Sequence, residues 1–555
     1  MNISTLISQH RKKYPYQQAV VKPLAKDKFG LSSYTHLTYL QLEEKSSNLA
    51  KSLSLYNVSK GDIVLLFIRP SLEFSIITFA LFKLGAIPLF IDPGMGLKNL
   101  KKSISEAAPK FLIGEPKIHY LRPLSPGTFR SIKYFFSTQS SFLPRTQNIN
   151  KLITSNTPNT KCLSSNLVSE NDTAAIIYTS GATGRPKGVI YTHKTFLSQL
   201  DLLKKNFQYT TQDKDLPGFP LFSLMTVALG VTSFIPPIDP TKPSQANPKK
   251  IVETINHFGI STASGSPAIW VHVADYCKKN NITLPSLRAI IMFGAPVRQE
   301  LHELFEETLS AGTTYTPYGA TECLPVSNIS GKDLNYLKKQ NKLDIGKGTC
   351  IGRAFENTKI KIIRESNDEI QKITNCIELE PYQIGEIIVK GYQASLKYHL
   401  LPLETKKSKI SDSDGGIWHR MGDLGYFDED NKLWFCGRKS HLVEIDNKKH
   451  YSINCEDVFN QHPDVQRSAL IQSSLSKTRI VSIVIERKDR KTKLSQEQHN
   501  FFKQDLLNLA KKHKHTKDIS TFFLCKSFPV DSRHNIKIDR LKLANIYSSY
   551  RNEAL

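Results

Sequence analysis

The stretch Tyr178-Thr-Ser-Gly-Ala-Thr-Gly-Arg-Pro-Lys-Gly-Val189 packs glycines, small hydroxyl residues and a lysine into one short loop. Gly181, Gly184 and Gly188 let the backbone turn tightly and present its N–H groups, as a polyphosphate ligand requires. Thr179, Ser180 and Thr183 add hydroxyl donors around Ala182, and Lys187 adds a compact positive charge. The common P-loop is excluded, because Pro186 stands where that motif needs a glycine before its lysine. A polyphosphate-binding loop of another kind is expected here.

A second cluster is Thr316-Pro-Tyr-Gly-Ala-Thr-Glu322. Tyr318 offers an aromatic face for a purine, and Gly319 permits close approach of the backbone. Thr321 is placed to hydrogen-bond a phosphate, and Glu322 is a hard oxygen ligand suited to Mg²⁺. Further on, Trp418-His-Arg-Met-Gly-Asp423 ends in a carboxylate, the natural acceptor for the two hydroxyls of a ribose. These residues together point to a nucleotide.

Elements that would carry them are legible between the clusters. Gly61–Ile68 reads as a strand, an apolar helix follows to Leu84-Gly85, and Ala86–Ile91 is the next strand. Strand, helix and strand at that spacing make a parallel α/β unit. Ala174–Ile177 reads as the buried strand feeding the glycine loop, and Thr195–Phe207 and Ile251–Phe258 as helices. Ser137–Asp172 is rich in Ser, Thr, Asn and Pro and reads as a connection. Leu287–Met292 is a strand running into Gly294-Ala295-Pro296, and Gly385–Gly391 is expected to open a β-rich region after a polar segment at 365–384. The last 115 or so residues alternate helix and strand.

A chain of 555 residues calls for several domains or subdomains. Eight cysteines with no Cys-x-x-Cys spacing point to free thiols in a reducing cytoplasm. The amino terminus places Arg11-Lys-Lys13 after its apolar patch, the wrong order for a secretory signal. Phe74–Ile91 is interrupted by Lys83, Gly85 and Pro88, so no membrane span is expected there. The net charge of +25 is spread along the chain without a nucleic-acid-binding motif. It reads as a Lys-rich solvated surface with no specific nucleic-acid binding, and loose attraction to anionic lipid is the next candidate.

The glycine loop, Tyr318-Gly-Ala-Thr-Glu322 and Trp418–Asp423 resemble the signatures of the adenylate-forming superfamily of acyl-CoA synthetases, adenylation domains and luciferases. The resemblance implies an α/β fold: a large N-terminal domain, 1–439, of α/β subdomains plus a small β-rich subdomain, and a small mobile α+β C-terminal domain, 440–555. It implies ATP and Mg²⁺, with the glycine loop at the phosphates and Gly294-Ala295-Pro296 along the adenine and acyl pocket. Asp423 would hold the ribose hydroxyls, and Arg438 the ribose or phosphates. Ser440 would be the hinge. Lys537, in Phe528-Pro-Val-Asp-Ser-Arg-His-Asn-Ile-Lys537, would bridge the substrate carboxylate and the α-phosphate, with Lys187 and Glu322 its partners in catalysis. The reaction implied is attack of a carboxylate on the α-phosphorus to give acyl-AMP and pyrophosphate.

The second nucleophile is read from departures. CoA ligases carry a Gly where Asn447 stands and a His where Ser223 stands, so CoA use stays open. Phe79–Gly85, Ile238–Pro243, Tyr318–Val326, Trp418–Phe427, Leu433–His441 and Phe528–Asn535 resemble one branch, the β-lactone synthetases of bacterial long-chain olefin biosynthesis. That resemblance implies a lipid-like 2-alkyl-3-hydroxy acid whose own hydroxyl expels AMP, with enzymes of olefin synthesis as pathway neighbours. The alternative is a fatty acid–CoA ligase. An apolar acyl pocket is expected between the loop after Phe219 and the turn Ser264–Ala268. His193, His419 and His441 are open candidates for roles near the acyl group.

Overall fold

The computed structural model describes residues 1–24, 33–141, 143–155, 168–179, 185–475, 478–490, 492, 494–530 and 538–547. The strand–helix–strand unit is present as Ile63–Phe67, Leu72–Leu84 and Ile87–Ile91. Its helix starts where the Ser71 side chain accepts from Phe74 N and stops at Gly85, which is left-handed at φ 68°. Phe74 to Phe82 are all buried, so this helix lies inside the protein.

Two seven-stranded sheets form the bulk of the chain. One is ordered Thr146–Asn148, Tyr134–Ser137, Phe111–Gly114, Ile63–Phe67, Ile87–Ile91, Thr173–Thr179 and Lys187–Thr192, parallel except for its last pair. The other is ordered Thr313–Tyr315, Ala289–Met292, Thr262–Gly265, Lys214–Pro217, Thr232–Phe234, Gln18–Pro23 and Tyr34–Thr38, and is again antiparallel only at its last pair. Helices cover both, as parallel strands buried on two faces require. Among the described residues of the connection at 137–172 are the short strand Thr146–Asn148 and the helix Ile149–Thr154, which its polar composition did not signal.

A third, eight-stranded sheet is largely antiparallel and includes Cys323–Asn328, Thr349–Ala354, Lys359–Ile363, Gly385–Lys390, Ile417–Phe427 and Leu433–Arg438. It begins at Tyr318, not at Gly385 as expected. Beyond the single turn Lys439–His441 come the hairpin Val443–Ile445/Lys448–His450 and a three-stranded sheet with the helices Ser452–Asn460, Gln496–Lys511 and Arg540–Tyr547. All seven cysteines among the described residues are free thiols. No helix among the described residues is long and apolar enough to cross a membrane.

Candidate active site

The carboxyl ends of the parallel strands, the third sheet and the C-terminal helices enclose one continuous cleft of about 2700 Å³. Such ends are where α/β sheets take ligands. Lys187, Gly294, Ala295, Pro296, Tyr318, Gly319, Thr321, Glu322, Asp423, Arg438 and Ser440 all line it. Thr179 pairs with Lys187 across the antiparallel edge, while Ser180, Gly181, Ala182, Thr183 and Gly184 lie outside the described residues. Lys537 lies outside them too, but Ile538, Asp539 and Arg540, which follow it, line the same cleft.

Asp423 and Arg438 face each other on neighbouring strands, with Arg438 Nε 3.1 Å from Asp423 Oδ1. The buried Asp423 also accepts from Tyr318 Oη at 2.5 Å. Its carboxylate holds the Arg438 guanidinium above its ordinary pKa, whereas burial first, then Asp423, raises the Tyr318 phenol. The purine, ribose and phosphate candidates are thus joined as one group by a hydrogen bond and an ion pair.

Glu322 forms the second group. Tyr398 Oη donates to Glu322 Oε1 at 2.9 Å, and Ser395 N donates to the Glu322 carbonyl at 2.7 Å. Lys187 Nζ lies 5.2 Å from the centre of the Tyr398 ring and donates to Glu404 Oε2 at 2.6 Å. That bond lowers the Glu404 carboxyl below its ordinary pKa. Burial, then Glu322, raises the Tyr398 phenol, so it stays a donor.

Close to Lys439, buried Glu386 accepts from Arg420 Nε at 3.0 Å and from Arg420 Nη2 at 2.7 Å. Lys439 Nζ joins at 3.0 Å from Glu386 Oε2, fixing the residue before Ser440. Tyr398, Glu404 and Glu386 carried no signal in the sequence beyond ordinary polar positions; only the fold brings them to the cleft.

The apolar arm of the cleft is lined by Phe74, Phe90, Leu203, Phe219, Met225 and Phe293, among others. Phe222 stacks on Phe293 at 4.3 Å, and Ser264, Pro267 and Ala268 form part of the wall. Gly265 itself does not line the arm; a Cβ there would meet Ile269 Cδ1 at 3.2 Å. Ser223 Oγ is hydrogen-bonded to Ser233 Oγ at 2.8 Å inside the protein. His193 is wholly buried against Phe82 and depressed by burial to a pKa of about 4, so it is a core residue. His441 lines the cleft, depressed to about 3 by burial with Arg540 and Arg438 nearby. His419 lines it as well, kept neutral by burial and by Lys409.

The profile of the AMP-binding enzyme family matches residues 7–399. The chain belongs to that family. It is an acyl-adenylate-forming, AMP-producing ligase with the adenylate-forming fold. An olefin beta-lactone synthetase of Xanthomonas campestris pv. campestris is 34% identical to it over 98% of this chain and 97% of that protein. One from Stenotrophomonas maltophilia is 34% identical over 93% and 92%. Among solved structures, O-succinylbenzoate coenzyme A synthetase from Bacillus subtilis, in complex with ATP and magnesium ion, superposes with a TM-score of 0.73 at 20% identity, covering 97% of this chain and 98% of that one.

Proposed function

We propose that the enzyme adenylates a long-chain 2-alkyl-3-hydroxy acid with ATP and closes the product to a β-lactone, releasing pyrophosphate and then AMP. The observation that carries this reading is the 34% identity, over nearly the whole chain, to a protein named olefin beta-lactone synthetase. In this reading 1–439 is the adenylating domain and 440–555 a mobile domain that brings Lys537 to the carboxylate and α-phosphate. The glycine loop and Lys187 take the phosphates, Tyr318 and Gly294-Ala295-Pro296 the adenine, and Asp423 with Arg438 the ribose. Thr321 bonds the α-phosphate.

Glu322, a hard oxygen ligand whose carboxylate accepts from Tyr398 Oη, would hold a magnesium ion at the phosphates. Among the described residues it belongs to no group of three or more His, Cys, Asp or Glu that could hold a metal. When bound, the ion neutralises charge on the phosphates. The protein's own work is to align a carboxylate oxygen with the α-phosphorus and to offset the growing charge with Lys187 and Lys537. In the second step the β-hydroxyl oxygen bonds the acyl carbon, the acyl–phosphate C–O bond breaks towards AMP, and the hydroxyl proton is released. Intramolecular attack gains effective molarity against the strain of a four-membered ring.

Two features favour closure without CoA. The Ser223 hydroxyl, where CoA ligases carry a His, is committed to Ser233, and the exposed Asn447 stands where they carry a Gly. The decisive test is product analysis with ATP, Mg²⁺ and such a hydroxy acid, with and without CoA. A lactone and AMP without CoA is expected. An acyl-CoA formed only when CoA is added would replace this reading with fatty acid–CoA ligase. The free thiols and the pathway also favour a cytoplasmic enzyme beside others of olefin synthesis.

A further inference from the structure

Lys409 opens the short edge strand Lys409–Ser411 and is only 8% exposed. Its Nζ donates to the Ser395 carbonyl and lies 3.3 Å from Ser395 Oγ and 3.1 Å from His419 Nδ1. Among the described residues it has no carboxylate within ion-pair distance, and Glu322 is the carboxylate that acts on it from further off. Burying an unpaired cation is costly, so its retention calls for a compensating role.

Ser395 shows what that role is. Its N–H donates to the Glu322 carbonyl at 2.7 Å, Ala394 pairs with Cys323, and Tyr398 Oη donates to Glu322 Oε1. Residues 394–398 therefore form a strap laid across Glu322, touching it through main chain and side chain. Lys409 ties the strap down from inside. His419 does not add a second charge, because burial and the neighbouring ammonium keep it neutral.

We propose that Lys409 is a positioning residue for adenylate formation: its buried ammonium anchors the 394–398 strap that aims Glu322 and lends positive potential to the phosphate side of the cleft. The proposal rests on acyl-adenylate formation and not on the fate of the acyl-AMP. Burial pulls the Lys409 amine down to about 8, as expected of a charge kept against its own solvation. Outer groups of this kind, when removed, typically cost roughly 10–100-fold in activity or ligand affinity.

The test replaces Lys409 in the full chain and reads three quantities: melting temperature, ATP affinity by calorimetry in EDTA, and ATP–pyrophosphate exchange. Lys409→Met should melt at or above the wild-type temperature, bind ATP more weakly, and lose about tenfold or more in exchange kcat. Its KM for the acid should stay within about threefold of wild type, and Lys409→Arg should recover most of the lost kcat. If Lys409→Met does not fold, Lys409→Gln takes its place with the same expectation, since its amide still reaches the Ser395 carbonyl without a charge. Wild-type exchange and ATP affinity in the uncharged variant would overturn the proposal. So would a lowered melting temperature whose activity loss Lys409→Arg does not restore. Absence of exchange in the wild type with every acid tried would instead strike at the adenylation reading.

Discussion

At the residue scale, the site keeps its charges occupied with one another. Lys187 holds Glu404, Arg438 holds Asp423, and Tyr398 holds Glu322, so each group is oriented before ligand binds. Asp215, which does not line the cleft, has no cation partner among the described residues. It is wholly buried, and Oδ1 accepts from Thr262 Oγ1 at 2.7 Å and from Tyr209 Oη at 3.5 Å. The nearby cation Arg288 is taken by Asp213 at 2.9 Å. Burial therefore lifts Asp215 to a pKa of about 7. Below about pH 4 the folded and unfolded chains both carry this proton, and Asp215 costs nothing. As pH rises from about 4 to 7 the unfolded chain sheds it first, and stability falls, by an amount on the order of 4 kcal/mol when complete. Asp215→Asn should remove that slope. Melting temperatures of wild type and variant should diverge steadily across this window, the variant becoming relatively more stable. Parallel curves would show that Asp215 is not the proton holder.

At the element scale, the hairpin after the hinge turns through Asp446 and Asn447 at φ 49° and 59°. Two residues at positive φ between antiparallel strands form the turn that matches strand twist, and Asn is among the few side chains that tolerate it. Asn447→Gly should leave the melting temperature nearly unchanged. Asn447→Val should cost roughly 1–2 kcal/mol of the small domain's stability, read by denaturant unfolding. Equal stability of the two variants would mean that the turn relaxes into another form. The unit over 61–91 was legible in the sequence, because its apolar runs and Gly85 leave little choice. The start of the third sheet was not, because Tyr318–Ala320 is three residues long and its mixed polarity shows no alternation. The candidate nucleotide residues that line the cleft were readable as a group because their side chains and spacing suggest one chemistry within short segments. Tyr398 and Glu404 were not, because each acts on a partner far away in sequence: Lys187 and Glu404 are 217 residues apart, and Glu322 and Tyr398 are 76 apart. Lys409 was not, because nothing in the residues around it signals that its side chain is buried against Ser395.

At the scale of the whole molecule, the proposed function requires the C-terminal part to be held against the rest. One contact between them is centred on Gly346. Gly346 N donates to Asp457 Oδ2 at 2.7 Å, and Asn454 Nδ2 donates to the Gly346 carbonyl at 2.8 Å. His515 closes the socket, its Nε2 3.1 Å from the Asn454 carbonyl. Gly346 has φ +81°, and a Cβ would fall 2.4 Å from His515 Cε1, so any other residue must strain the backbone and displace the His515 ring. The helix Ser452–Asn460 that supplies Asn454 and Asp457 also supplies Glu456, which accepts from Arg540 Nε at 2.8 Å. Arg540 stands three residues beyond Lys537 and lines the cleft. One helix thus grips the large domain at one face and the segment after Lys537 at the other. Gly346→Ala should loosen the first grip and so displace the second. We expect faster proteolytic cleavage at 439–442 and a fall of about tenfold in pyrophosphate exchange, a modest 1.4 kcal/mol in the barrier. ATP binding, which the large domain supplies, should change little. Cleavage and exchange both at wild-type rates would mean that the socket is incidental to the pose, and that the hinge cluster of Glu386, Arg420 and Lys439 sets it alone.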